Sequence, residues 1–148
     1  MLVAPDAGEA KDAGRYAKRL NIPLAIIDKR RYGDDELVRA VQVIGDVRGM
    51  HALIIDDEVA TAGTLIETLR ILSEHGATGV TAGIVHPVLC GPAMERIRQS
   101  NLKEMVVTDS IPIPPEKMWD GFRILTVASL FAQAIERIHD GRSVSSLF

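Results

Sequence analysis

The sequence predicts an α/β fold, a single domain built on a mainly parallel sheet flanked by helices. Three observations carry that prediction. Short apolar runs alternate with longer amphipathic stretches along the whole chain, which is the strand–helix–strand pattern of parallel sheets. Aromatic residues make up only 4% of a chain that is 47% hydrophobic, so the core rests on Val, Ile, Leu and Ala, the residues of strands covered on both faces. The length of 148 residues suits one core.

Residues 1–4, MLVA, form a first short strand ended by Pro5. Residues 9–20 place Ala10, Ala13, Ala17 and Leu20 at helical spacing, with Lys and Arg on the opposite face. Residues 22–28, IPLAIID, read as a buried strand, and the charged stretch 29–36, KRRYGDDE, follows without apolar periodicity. Residues 37–47 look extended, and 50–56, MHALIID, are another buried strand. Residues 64–76 are a helix with Leu65, Leu69 and Leu72 on one side and Gly76 as its stop. A strand at 80–85, a helix at 91–100 opened by Pro92, and strands at 104–109 and 122–128 come next. A helix at 128–141 precedes a short polar tail. In such sheets ligands bind beyond the carboxyl ends of the strands, and three strand exits carry unusual chemistry: Pro5 to Gly8, Asp28 to Arg31, and Asp56-Asp57 with the loop after them.

The formal net charge of -3 argues against a general nucleic-acid partner and leaves room for a local basic patch. Cys90 is the single cysteine, which gives neither a disulfide framework nor a metal cluster and reads as a small apolar residue in a reducing compartment. No apolar run approaches the roughly 18 residues of a membrane span. Acidic residues begin at Asp6, unlike a signal peptide. The expectation is a cytoplasmic chain with no membrane and no nucleic-acid partner.

The chemistry concentrates in residues 53–65, LIIDDEVATAGTL. Two adjacent carboxylates close an apolar strand. As the strand ends its alternation breaks down, so Asp56 and Asp57 are both expected to turn toward one ligand, accepting hydrogen bonds from a vicinal diol or reaching a hydrated Mg²⁺. Ala60, Thr61, Ala62, Gly63 and Thr64 have little bulk and can present backbone N–H groups and two hydroxyls to an anion at a helix N-terminus. Diol beside phosphate is the shape of ribose 5-phosphate. An acidic N-cap would need no ligand, yet capping needs one carboxylate, and a second adds repulsion. The nucleoside-triphosphate phosphate loop and the dinucleotide Gly-x-Gly-x-x-Gly are both missing from the sequence.

Residues 54–64, IIDDEVATAGT, resemble the ribose-phosphate loop of the type I phosphoribosyltransferase fold. With PDAG at 5–8, IIDKRR at 26–31, VIGDVRG at 43–49, TDSIP at 108–112 and GRSVSSLF at 141–148, the chain resembles, in order and throughout, the C-terminal half of the ribose-phosphate diphosphokinase family. The resemblance implies diphosphoryl transfer from ATP to O1 of ribose 5-phosphate, with Mg²⁺ as cofactor. It implies that Asp56, Asp57 and residues 60–64 bind ribose 5-phosphate, that Asp6, Ala7 and Gly8 form a pyrophosphate loop with Asp6 as a Mg²⁺ ligand, and that Lys29 and Arg31 act in a flexible catalytic loop. The bland alternatives are a solvated basic turn at 29–31 and an aspartate N-cap at Asp6. By the same resemblance Ser143, Ser145 and Phe148 belong to a regulatory site at subunit contacts, although as bare sequence they are a short polar tail. Glu9 stands where the family has a second glycine, Ala60 where many members carry an aspartate, and Pro87 where a glycine follows the histidine. His86 and His139 read as structural, and Trp119 as a lone loop aromatic. The family's upstream half, with much of the adenine site, is not represented in these residues. The partners expected are therefore ATP, ribose 5-phosphate, and either further copies of the chain or a chain carrying that half. The readings that stay open are the enzyme or a fragment of it, a catalytically silent ribose-phosphate-binding or assembly domain, and a stand-alone phosphoribosyltransferase.

Overall fold

A computed structural model describes residues 1–31 and 38–148, with the side chains of residues 29–31 and 38–41 outside that description. The chain forms β1 (Leu2–Ala4), α1 (Ala10–Leu20), β2 (Leu24–Arg31), β3 (Val38–Ile44), β4 (His51–Glu58), α2 (Gly63–Glu74), β5 (Gly79–His86), α3 (Ala93–Gln99), β6 (Glu104–Thr108), β7 (Phe122–Leu125) and α4 (Ala128–His139). Single 3₁₀ turns stand at Pro115–Lys117 and Ser145–Leu147. Among the described residues seven strands make one sheet in the order β3-β2-β1-β4-β5-β6-β7. Every neighbouring pair is parallel except β2 with β3.

The period-two alternation of extended chain sorts side chains onto two faces. Val3, Ala52 and Ile54 join the larger core with Leu65, Leu69 and Leu72 of α2 and Ile97 of α3. Leu2 and Ala4 face the other way, onto Ala13 and Ala17 of α1, where Leu53 and Ile55 of β4 also pack. Small alanines on α1 let its backbone approach the sheet closely, while Leu20 is left half exposed. Gly76, at φ 86°, takes the left-handed turn that ends α2, with its amide on the Ser73 carbonyl and the Ala77 amide on the Leu72 carbonyl.

Two expectations change. The charged stretch after residue 28 is not a separate turn at its start: residues 29–31 continue β2, because β3 supplies ladder partners for them irrespective of side-chain polarity, with a register shift between Arg30 and Arg31. Residues 32–36 of that expected loop lie outside the described residues. The strand read at 50–56 also runs on to Glu58, whose partner in the β5 register is His86. Among the described residues no helix is long and apolar enough to cross a membrane.

Candidate functional site

Because β4 continues through Glu58, Asp56 and Asp57 lie inside a strand and alternate rather than turning together, which corrects the expected geometry. Asp56 and Glu58 share the α2 side of the sheet with Ile54, and Asp57 shares the α1 side with Ile55. The lining of two hollows follows this parity. A cleft of about 280 Å³ beyond the carboxyl end of β4 is walled by Asp56, Glu58, residues 59–65 and Ile84. A smaller hollow of about 170 Å³, on the other side, is walled by Asp57, Ile55, Val85 and Glu9, Asp12 and Tyr16 of the α1 region. Asp56 touches both. Burial, followed by a hydrogen bond with the Asp57 side chain, pushes the Asp56 carboxyl up from 3.8 to about 6.

The loop after β4 is held in place by its neighbours. The Val59 amide donates to the His86 carbonyl at 3.1 Å, and the Leu89 and Cys90 amides donate to the Val59 and Ala60 carbonyls at 3.0 and 2.9 Å. Ala62 caps α2 with φ 60° and ψ 14°, a left-handed conformation that costs a non-glycine residue roughly 1–2 kcal/mol and that concentrates at functional turns. From there the amides of Gly63, Thr64 and Leu65 open the helix with no backbone acceptor among the described residues. Thus Asp56 and Ala60 to Thr64, all singled out from sequence, line one cleft together, and Asp57 stands next to it.

The other expected positions are separate. Asp6 and Gly8 lie on the turn between β1 and α1. Asp6 Oδ1 accepts from the Glu9 amide at 3.1 Å, and a Cβ on Gly8 would meet that oxygen at 3.1 Å, so the turn is closed tightly around the carboxylate. Ala7 is exposed beside them. The N-cap of α1 is Glu9, not Asp6, and Glu9 faces the hollow shared with Asp57. The backbones of Lys29 and Arg31 are in β2 and their side chains lie outside the description. Ser143 and Ser145 form their own turn past α4, with the Ser145 amide on Ser143 Oγ at 3.2 Å and Arg137 on the Ser143 carbonyl at 3.1 Å. Phe148 is 89% exposed, and none of these three lines the cleft. His86 Nδ1 is hydrogen-bonded to Ser110 Oγ at 2.9 Å, Trp119 packs edge-on against Phe122, and Cys90 is exposed rather than in the core.

Two residues of the site escaped the sequence reading. Glu58 lines the cleft, and its signal was the i, i+2 spacing from Asp56, visible only once β4 is seen to extend that far. Arg96 on α3 donates from Nη1 to the Thr61 carbonyl at 2.9 Å; a contact between residues so distant along the chain leaves no trace in local pattern. A third, larger hollow of about 470 Å³ includes His51, Thr81, Glu104 and Phe122, at the amino ends of the strands, opposite the end where parallel sheets bind ligands.

Residues 34–148 match the family model described as phosphoribosyl synthetase-associated domain. The chain is 48% identical, over all of its length and 46% of the relative's, to a ribose-phosphate pyrophosphokinase of Caldanaerobacter subterraneus subsp. tengcongensis. It therefore spans about half the length of the curated relatives it matches. Among solved structures it is similar to a phosphoribosylpyrophosphate synthetase from Mycobacterium smegmatis, with TM-score 0.85 and 32% identity over 95% of this chain and 45% of that one. An orotate phosphoribosyltransferase from Aeropyrum pernix shares the fold at TM-score 0.53 and 21% identity, over 91% of this chain and 64% of that one.

Proposed function

The chain belongs to the phosphoribosyl synthetase-associated domain family, and on that premise we propose that it is the ribose-phosphate-binding, C-terminal half of a ribose-phosphate pyrophosphokinase. The observation that carries the reading is the cleft at the end of β4, walled by the carboxylates of Asp56 and Glu58 and by residues 61–65, where the amides of Gly63, Thr64 and Leu65 have no backbone acceptor among the described residues. The carboxylate side suits the hydroxyls of a sugar. The amide side, at the positive end of α2, suits its 5-phosphate.

In the proposed reaction O1 of ribose 5-phosphate attacks the β-phosphorus of ATP. The bond from that phosphorus to the oxygen bridging it to the α-phosphorus breaks, O1 loses its proton, and the products are phosphoribosyl diphosphate and AMP. Asp56, with Glu58 beside it in the cleft, holds the sugar, Asp57 stands next to it on the other side of β4, and the 60–64 loop holds the phosphate, so that O1 projects toward the turn at residues 6–8. Such transfer asks mainly for positioning and for neutralising charge on the phosphoryl oxygens. Lys29 and Arg31 supply that neutralisation in this reading, the lysine as a point charge and the arginine as a fork matched to phosphate oxygens.

The residues fit a Mg²⁺ cofactor. Among the described residues no group of three or more His, Cys, Asp or Glu side chains is arranged to hold a metal. Mg²⁺ commonly takes one or two carboxylates and completes its shell with water and substrate phosphates, so Asp6, an oxygen ligand on a tight turn, would hold it with the diphosphate. The ion supplies charge neutralisation on the transferring group. The hollow beside that turn, with Glu9, Asp12, Asp56 and Asp57 on its walls, would repel a bare diphosphate, and a bound cation reverses this.

The adenine-binding part is proposed to lie outside these 148 residues, since the relatives are about twice as long. One observation favours the second reading, an assembly domain without catalysis of its own: Phe131, Ile135 and Ile138 of α4 form an exposed apolar stripe. Calorimetric titration tests the first reading. Ribose 5-phosphate should bind the chain, and Asp56→Ala, which removes a carboxylate from the cleft wall, should weaken binding roughly tenfold or more, about 1.4 kcal/mol. Unchanged affinity in that variant removes the ribose assignment.

A further inference from the structure

Arg96 lies on α3, yet its guanidinium is parked against the loop that opens α2. Its Nη1 donates to the Thr61 carbonyl at 2.9 Å, and a Cβ on Gly63, the first residue of α2, would come within 3.6 Å of the same nitrogen. The amino end of a helix already carries partial positive charge. The first turn of α2 has no acidic residue, and among the described residues Arg96 makes no ion pair with a carboxylate. A cation held behind the helix end adds to the positive potential there, and an anion in front of the amides gains from both.

The same hydrogen bond orients a peptide group. In a trans peptide the C=O and the following N–H point in opposite directions. Thr61 gives its carbonyl to Arg96, which is not part of the cleft wall, while Ala62 is part of it. The Ala62 N–H is thereby turned away from Arg96. The left-handed conformation of Ala62 then carries the chain into α2 with its first amides exposed.

We propose that Arg96 is a positioning residue for the phosphomonoester of a phosphorylated sugar: it locks the Thr61–Ala62 peptide so that the loop's amides face the cleft, and it adds a positive charge behind them. This rests on the reading of the 60–64 loop as the phosphate site, and it extends the machinery to a residue 35 positions away.

The test compares ribose 5-phosphate, inorganic phosphate and unphosphorylated ribose by calorimetric or competition binding to the chain. Arg96→Met keeps the aliphatic stem and removes the charge and the donors. It should weaken both phosphate-bearing ligands about tenfold, which is one charge-assisted hydrogen bond, and leave ribose unchanged. Arg96→Lys should recover most of the loss, and added salt should shrink the gap between wild type and Arg96→Met. An equal loss for ribose and ribose 5-phosphate would make the role merely structural and overturn the proposal. So would unchanged phosphate affinity in Arg96→Met. Thr64→Val separates the two readings. If it weakens phosphate binding while Arg96→Met does not, the Arg96 role falls and the cleft stands; if the wild-type chain binds neither phosphate-bearing ligand, both fall. Thermal melting of each variant confirms that it is folded.

Discussion

Asp56 sits half-buried near the end of β4, and its pKa rises from 3.8 to about 6. Burial comes first among the causes, then the hydrogen bond with the Asp57 carboxyl; backbone bonds from Asp57 and Glu58 partly oppose them. The folded state thus holds this proton more tightly than the unfolded chain does. The stabilisation is complete below the unfolded value of 3.8 and is lost as pH rises through about 6. At neutral pH the ionised carboxylate costs stability, and binding a diol or cation offsets that cost. Asp56→Asn is therefore expected to be more stable than wild type at pH 7.5 by about 1 kcal/mol, a figure discounted for solvent screening of a partly exposed group. At pH 4 the difference should nearly vanish. Urea unfolding at both pH values measures this, and an Asn variant less stable at pH 7.5 would contradict it. The same variant should lose affinity for ribose 5-phosphate, the usual opposition between a stable site and a working one.

Among the elements, α2 connects the site to the core. It buries Leu65, Leu69, Ile71 and Leu72, and with them Thr68, whose Oγ1 has no hydrogen-bond partner among the described residues. A buried hydroxyl without a partner costs about 1–3 kcal/mol, and valine has nearly the same shape. Thr68→Val should therefore raise the unfolding free energy by about 1 kcal/mol without changing ligand affinity. A destabilised variant would mean that the hydroxyl is satisfied. The helix itself was legible in the leucine spacing, as were the apolar runs of β4 and β5, because burial selects those residues directly. Strand ends were less so. Residues 29–31 are charged, yet they are strand because β3 offers ladder partners, and main-chain pairing is indifferent to side-chain polarity. The same run-on of β4 places Glu58 in the cleft and separates Asp56 from Asp57, so the residues of the acidic pair were legible while their orientation was not. Arg96 was beyond local pattern altogether, since only tertiary packing brings α3 to the loop.

At the scale of the whole molecule, stability is unevenly spread. The strands β1, β2, β4, β5 and β6 with α1, α2 and α3 hold the two core clusters, whereas α4 has no buried residue. Phe131, Ile135 and Ile138 are 58%, 66% and 68% exposed. The helix is tied on by its start: Asp109 Oδ1 accepts from the Val127 amide at 2.8 Å, and the Thr126 hydroxyl and that amide hold the Asp109 carboxyl below the ordinary aspartate value. A helix of this length with little tertiary support is marginal in water, so α4 should open at a lower free energy than the rest. Hydrogen exchange on the 148-residue chain should show α4 amides exchanging well before those of α2 at residues 65–72. Correspondingly, Ile135→Lys should shift the global unfolding free energy by less than about 0.5 kcal/mol, while Leu72→Ala, at the centre of the core, should cost about 2–5 kcal/mol. Protection of α4 equal to that of α2 would require a covering surface already present in solution. A large loss on Ile135→Lys would place that surface on the apolar stripe itself, where an apolar face of this kind is otherwise a site of association.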